Sequence, residues 1–153
     1  MVSIGEAAPD FTLMAHDRAM VTLSDYSGNR VVLAFYPAAF TGVCTTELCT
    51  FTDSMSSLEG ANAAILGISA DNVFANNEFA TANGIGFPLL CDVRCTAIEA
   101  YGLAIHDFGA PGFTASQRAV FVVEPDGSVS YAWVAENPGL EPDYDAVIAH
   151  CAS

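Results

Sequence analysis

Lysine is absent from the 153 residues, and the only four cations are Arg18, Arg30, Arg94 and Arg118, set against 18 acidic side chains for a formal net charge of −14. Nucleic acids and anionic membrane surfaces are held by clustered positive charge, so neither is an expected partner. A long apolar run is missing too. The longest uncharged stretch, Val31 to Thr46, is 16 residues and is cut by Pro37, too short and too broken to span a bilayer. The opening residues, Met1 to Glu6, lack the basic-then-apolar order of a secretory leader, so a cytoplasmic location is expected. An acidic surface without lysine suits concentrated salt, which screens its self-repulsion. A halophilic host is expected.

What is present suffices for an ordinary core. Apolar residues make up 52% of the chain, and a chain this long buries about two-thirds of its surface on folding. No linker, internal repeat or low-complexity tract interrupts it, so residues 1–153 read as one domain. Phe11–Leu13 and Ala19–Leu23 read as short strands around a turn at His16-Asp17. Val31–Tyr36 is continuously apolar, as a strand buried on both faces should be, and Pro37 ends it. Cys44, Leu48, Phe51, Met55 and Leu58 recur at helical spacing, which predicts one helix continuing to Gly60. Ala63–Ser69 is a second buried strand, after which Asp71 is expected to cap a helix ending at Gly84. Phe87–Leu90 is a short extended piece, and Asp92 is expected to cap a helix through Tyr101. Arg118–Glu124 and Ser128–Ala135 form a hairpin about Pro125-Asp126-Gly127, and a last helix covers about residues 143–151. The order β-β-β-α-β-α-α-β-β-α implies an α/β fold, a mixed central sheet covered by helices on both faces.

Five cysteines, at 44, 49, 91, 95 and 151, are an odd number in a reducing compartment, so reactive thiols are expected rather than a disulfide framework. One stretch is unlike core sequence: Phe35-Tyr36-Pro37-Ala38-Ala39-Phe40-Thr41-Gly42-Val43-Cys44-Thr45-Thr46-Glu47-Leu48-Cys49. A buried strand runs into a Pro- and Gly-punctuated turn, and a cysteine stands where the next helix begins. Free backbone N–H groups and the helix dipole favour a thiolate there. An ordinary thiol is about 3% ionised at pH 7, and lowering its pKa to ~6 makes that about 90%. Fast chemistry also needs donors aimed at the charge that develops in the transition state. Thr41 and a distant arginine are the candidates.

These residues resemble the peroxiredoxins. The family's Pro-x-x-x-Thr-x-x-Cys motif stands as Pro37, Thr41 and Cys44, and Arg118 before the apolar Ala119–Val123 resembles the family's active-site arginine. Asp10-Phe11-Thr12-Leu13, Leu23-Ser24-Asp25-Tyr26 and Phe87-Pro88-Leu89-Leu90 extend the resemblance over nearly the whole chain. Ala39–Cys44 and Glu141-Pro142-Asp143-Tyr144 look most like the AhpE-like group, and Cys49, five residues after Cys44, is similar to the second cysteine of the Prx Q group. The resemblance implies a thioredoxin-like fold and reduction of hydroperoxides by a dithiol reductant of the thioredoxin or glutaredoxin kind, with no cofactor and no metal. It implies that Cys44 is the nucleophile, that Thr41 hydrogen-bonds the sulfur and the peroxide, and that Arg118 stabilises the thiolate and holds the peroxide. Pro37 would shield the oxidised sulfur, Glu47 would orient the arginine, Cys49 would resolve the sulfenic acid, and the chain would pair as a homodimer.

Read without the resemblance, the other thiols stay open. Cys91-x-x-x-Cys95 is a packing pair first, and a second thiol pair, an alternative resolver or a metal pair otherwise, and Cys151 could serve a partner subunit. His16, His106 and His150 show no ligand spacing. A thiol–disulfide exchange enzyme and a redox sensor or chaperone without turnover are the alternatives to a peroxidase.

Overall fold

Two strands are covered on both faces because their side chains are apolar on both sides. In β3 (Arg30–Phe35), Val31, Leu33 and Phe35 enter one core while Val32 and Ala34, with Tyr36 just beyond, enter another. In β8 (Ala119–Val123), Ala119, Phe121 and Val123 join the first core and Val120 and Val122 the second. This is the two-residue alternation of a pleated strand with both faces covered. The computed structural model describes residues 2–153.

The remaining strands and α-helices are β1 (Thr12–Ala15), β2 (Met20–Thr22), α1 (Gly42–Asp53), α2 (Met55–Gly60), β4 (Ala63–Ser69), α3 (Val73–Asn83), β5 (Leu89–Cys91), α4 (Thr96–Ala100), β6 (Ala104–Ile105), β7 (Ala115–Ser116), β9 (Val129–Val134) and α5 (Tyr144–Ala152). Seven strands form one sheet in the order β2-β1-β5-β4-β3-β8-β9. The β3–β4 and β4–β5 pairs are parallel and the rest antiparallel, so the sheet is mixed, as expected. Residues of α1, α2, α3 and α5 (Leu48, Leu58, Phe79, Val147) fill one core, and α4 (Ala97, Ile98) covers the other beside Phe11 and Leu23. Helices therefore lie on both faces, four against one.

Three local expectations change. The single helix expected from Cys44 to Leu58 is two, broken at Ser54, where ψ falls to 0°. Thr45, Thr46, Thr50, Thr52 and Ser54 each turn a hydroxyl back to the carbonyl four residues earlier, which loosens and bends a helix. The cap of α3 is Asn72, which accepts from Ala75 N at 2.9 Å, and not Asp71. Asp92 is not the N-cap of α4: the helix starts only at Thr96, after Cys95 in the left-handed conformation, although Asp92 Oδ2 still accepts from Ile98 N at 2.8 Å. The extended piece near Leu89 is a true sheet strand, and the small β6–β7 hairpin has no signal in the sequence.

Candidate active site

Pro37 has no N–H to give a strand ladder; it is buried at the end of β3, and the chain turns through Ala38, Ala39 and Phe40 into α1. Phe40 holds a left-handed φ of 63°, uncommon for so large a side chain, with its ring against Phe79 at 5.2 Å between centroids. Thr41 is the N-cap residue of α1, extended at φ −90° and ψ 148°, but its side chain caps nothing. Cys44 follows in the first turn and is fully buried.

Strand pairing delivers the arginine. Phe35 pairs with Ala119 across the β3–β8 ladder, so Arg118, one residue earlier, lies at the end of β3 that leads into the Pro37 turn. Its Nη2 donates to Cys44 Sγ at 3.2 Å, and its Nη1 donates to Glu47 Oε1 at 2.8 Å. Nε and Nη2 both donate to the carbonyl of Pro138, at 3.1 and 2.9 Å. Arg118 is 2% exposed and Glu47 and Cys44 not at all, so these charges act on one another with little water between them, where electrostatic effects are strongest. Burial pushes the Glu47 carboxyl up to about 7 against the pull of Arg118, and its Oε2 has no protein partner. Burial alone would lower the Arg118 guanidinium, but Glu47 and Cys44 outweigh it and hold it above its ordinary value.

The structure thus brings Cys44, Arg118 and Glu47 into direct contact and places Pro37 and Thr41 on the adjoining turn. One expectation fails. The Thr41 hydroxyl is not on the sulfur; it donates to Ala38 O at 2.8 Å, because the tight turn at Phe40 brings that carbonyl within reach of its one proton. Cys49 is half-buried on α1, its thiol directed at Asn83 O at 3.8 Å, and all five cysteines are free. Burial raises the thiols of Cys91, Cys95 and Cys151 above their ordinary value. Among the described residues, no three His, Cys, Asp or Glu side chains gather as they would around a metal ion, and no helix is long and apolar enough to cross a membrane. A concavity of about 360 Å³, lined by Tyr26, Met55, Ile65 and Phe87, contains no cysteine or cation.

Sequence reasoning missed two contributors. The Pro138 carbonyl that anchors Arg118 carries no side-chain signature at all. A polar chain behind the turn was also missed: Tyr36 OH donates to Asn76 Oδ1 (2.7 Å), Asn76 Nδ2 to Ser69 Oγ (3.2 Å), and Ser69 Oγ to Asp71 Oδ2 (2.8 Å). Of these residues only Asp71 was expected to make a side-chain hydrogen bond, and as the cap of α3.

Compared with known proteins, residues 4–132 match the AhpC/TSA family. The thiol peroxidase of Oceanobacillus iheyensis is 36% identical over 149 residues, covering 96% of this chain and 87% of that protein. Peroxidoxin BcpB from Mycobacterium tuberculosis superimposes with a TM-score of 0.87 at 29% identity, covering 99% of this chain and 97% of that one. PrxQ from Xylella fastidiosa, in a cysteine-to-serine mutant form, does so with a TM-score of 0.87 at 26% identity, covering 98% and 95%.

Proposed function

This chain belongs to the AhpC/TSA family, as a peroxiredoxin of thioredoxin-like fold with thiol peroxidase activity, and from that premise we propose that Cys44 is its peroxidatic nucleophile. The observation that carries this is the Arg118 Nη2 donor 3.2 Å from a wholly buried sulfur. The thiolate attacks the OH-bearing oxygen of the peroxide, an S–O bond forms as the O–O bond breaks, and the proton of the attacked OH passes to the departing alkoxide or hydroxide. The products are a Cys44 sulfenate and an alcohol or water. Arg118 supports the charge on sulfur and on the peroxide oxygens. Thr41, with its own proton committed to Ala38 O, accepts from the peroxide O–H, and Pro37 shields the oxidised sulfur. Glu47 orients Arg118. Cys44→Ser removes turnover in steady-state peroxide consumption with a dithiol reductant; activity above ~1% of wild type would overturn the assignment, since a serine hydroxyl is far too weak an acid to supply the anion.

Cys49 is the proposed resolving thiol, condensing with the sulfenic acid to a disulfide and water. Both cysteines lie on intact α1, where five residues of helix separate Cα atoms by ~8.7 Å and a disulfide needs less than ~7 Å. The first turns of α1 must therefore unwind in each cycle. Several features ease this: α1 has no side-chain cap and no acidic residue in its first turn, whereas α3 and α5 are capped by Asn72 and Asp143. The hydroxyl back-bonds described above loosen the rest. A thioredoxin- or glutaredoxin-like dithiol would then reduce the disulfide, in a cytoplasmic compartment that keeps the other thiols free. The subgroup proposed is AhpE-like with a Prx Q-type second cysteine.

Homodimer formation through the active-site loops is part of the same proposal. Phe40 and Leu140, on the two loops that supply Thr41 and the Pro138 carbonyl, are 55% and 44% exposed. With −14 on each subunit, association and stability should both rise with salt in a halophilic setting. Sedimentation showing monomer at low and molar salt alike would remove the dimer, and a melting temperature indifferent to salt would remove the halophile.

A further inference from the structure

We propose that Asp71 is a positioning residue for peroxide reduction, acting on the substrate through one peptide bond and the Thr41 hydroxyl. Asp71 Oδ2 accepts from Ala39 N at 2.8 Å. The carbonyl of that same peptide unit, Ala38 O, takes the Thr41 Oγ1 proton at 2.8 Å. One peptide plane is thus held at its N–H by a carboxylate and at its C=O by the hydroxyl. The consequence falls on Thr41: a hydroxyl has one proton, and once Ala38 O holds it, Oγ1 has only acceptor capacity left. Thr41 is exposed at the mouth of the turn, so that capacity is available to an incoming O–H.

Asp71 is itself held. Ser69 Oγ donates to the same Oδ2, Asn76 Nδ2 donates to Ser69 Oγ, and Tyr36 OH donates to Asn76 Oδ1. Tyr36, Ser69 and Asn76 are fully buried, and networks satisfied in this way are rigid. The turn is therefore tethered at Tyr36, before Pro37, and at Ala39, after it. The left-handed Phe40 immediately follows the clamped peptide, and such a conformation persists where its surroundings over-determine it. The departure of Asp71 from its expected capping role has the same cause: Asn72 serves α3, which leaves the Asp71 carboxylate for the turn.

This inference rests on Cys44 and Thr41 acting as proposed, and the experiment separates the two levels. The second-order rate with hydrogen peroxide is measured for Asp71→Ala, Asp71→Asn, Thr41→Val and Asp71→Ala/Thr41→Val, beside the rate at which iodoacetamide alkylates Cys44, read by mass spectrometry. Alkylation needs the thiolate but no acceptor for a peroxide proton. Asp71→Ala should slow peroxide reduction by ~10- to 100-fold, the scale of a misplaced group, with alkylation within ~threefold. Asp71→Asn, whose carboxamide oxygen can still accept from Ala39 N, should recover most of the rate. The double variant should be no slower than Thr41→Val, since residues acting as a unit are not additive. Multiplicative losses in the double variant, equal slowing of alkylation, or an unchanged Asp71→Ala rate would each overturn the inference. Turnover surviving in Cys44→Ser would instead overturn the reading beneath it.

Discussion

Two Arg–Glu–Cys groups flank opposite ends of the same β3–β8 ladder, and only one fits the chemistry proposed above. At one end Arg30, the first residue of β3, meets Glu124, the residue after β8, at 3.0 Å, with the two side chains 24% and 23% exposed. Cys151 lies beside them, yet Arg30 donates to its backbone carbonyl and to that of Ser153 rather than to its sulfur. At the other end Arg118 meets Glu47 in a dry site and turns Nη2 to Cys44 Sγ. The residue types are the same. What differs is which atom receives the guanidinium and how much water is present. Burial raises the Cys151 thiol despite the pull of Arg30, leaving it a poor nucleophile at neutral pH. A carbonyl-directed arginine ties down the last turn of α5, whereas a sulfur-directed one is placed to support an anion.

Exchanging one arginine at a time gives the widest separation between these ends. Arg118→Ala should lower the peroxide rate by on the order of 10²-fold, the usual loss for one transition-state donor. Arg30→Ala should leave that rate within ~twofold, as no Arg30 atom reaches the sulfur of the proposed nucleophile. Stopped-flow kinetics at saturating reductant decides between them, and a loss below about threefold for Arg118→Ala would erase the distinction.

A second test asks which thiol carries the oxidised state. Cys49→Ser should keep the first turnover but lose steady-state cycling and accumulate Cys44 sulfinic acid, whereas Cys151→Ser should cycle normally. Mass spectrometry after one peroxide equivalent should show a Cys44–Cys49 disulfide in wild type, with partial loss of helical signal. Normal cycling by Cys49→Ser would assign resolution elsewhere.

Glu47 should make the stability of the buried end depend on pH. Glu47 titrates at about 7 in the folded protein against an ordinary 4.5. A raised carboxyl binds its proton more tightly in the folded state, so its stabilisation is complete below pH 4.5 and is lost as pH rises to about 7. Glu47→Gln should remove a loss of a few kcal/mol over that window. Denaturation midpoints of wild type minus Glu47→Gln, taken across the window, measure it directly, and a flat difference would refute it. The smallest effect belongs to the half-exposed end, where breaking the Arg30–Glu124 pair should cost about 1 kcal/mol or less. That corresponds to a fall in melting temperature of at most ~2–4 °C for a chain of this size.

Much of the fold could be read from local pattern. The even apolar run of β3, the spacing of Leu48, Phe51 and Leu58, the stop at Gly84 and the turn at Pro125-Asp126-Gly127 each depend on neighbours within a few residues. Pro37, Thr41 and Cys44 were legible for the same reason, since they share one turn. The break at Ser54 was written in the run of threonines but outweighed by the apolar periodicity. The role of Asp71 was hidden because its neighbour Asn72 is an equally good cap.

The sequence by itself determined most of the elements and that Cys44 stands in the first turn of a helix, because propensity, periodicity and capping act over short chain distances. Tertiary structure alone decided that Cys44 Sγ faces Arg118, 74 residues away, and Arg118 the Pro138 carbonyl, 20 away. It also decided that Glu47 is dry and that Asp71, 32 residues away, grips Ala39. The deciding step is the β3–β8 register. With Phe35 opposite Ala119, Arg118 reaches the Pro37 turn, whereas a slip of one residue would turn every side chain of β8 to the opposite face. That register is held by the packing of two cores at once, which no local stretch of sequence encodes.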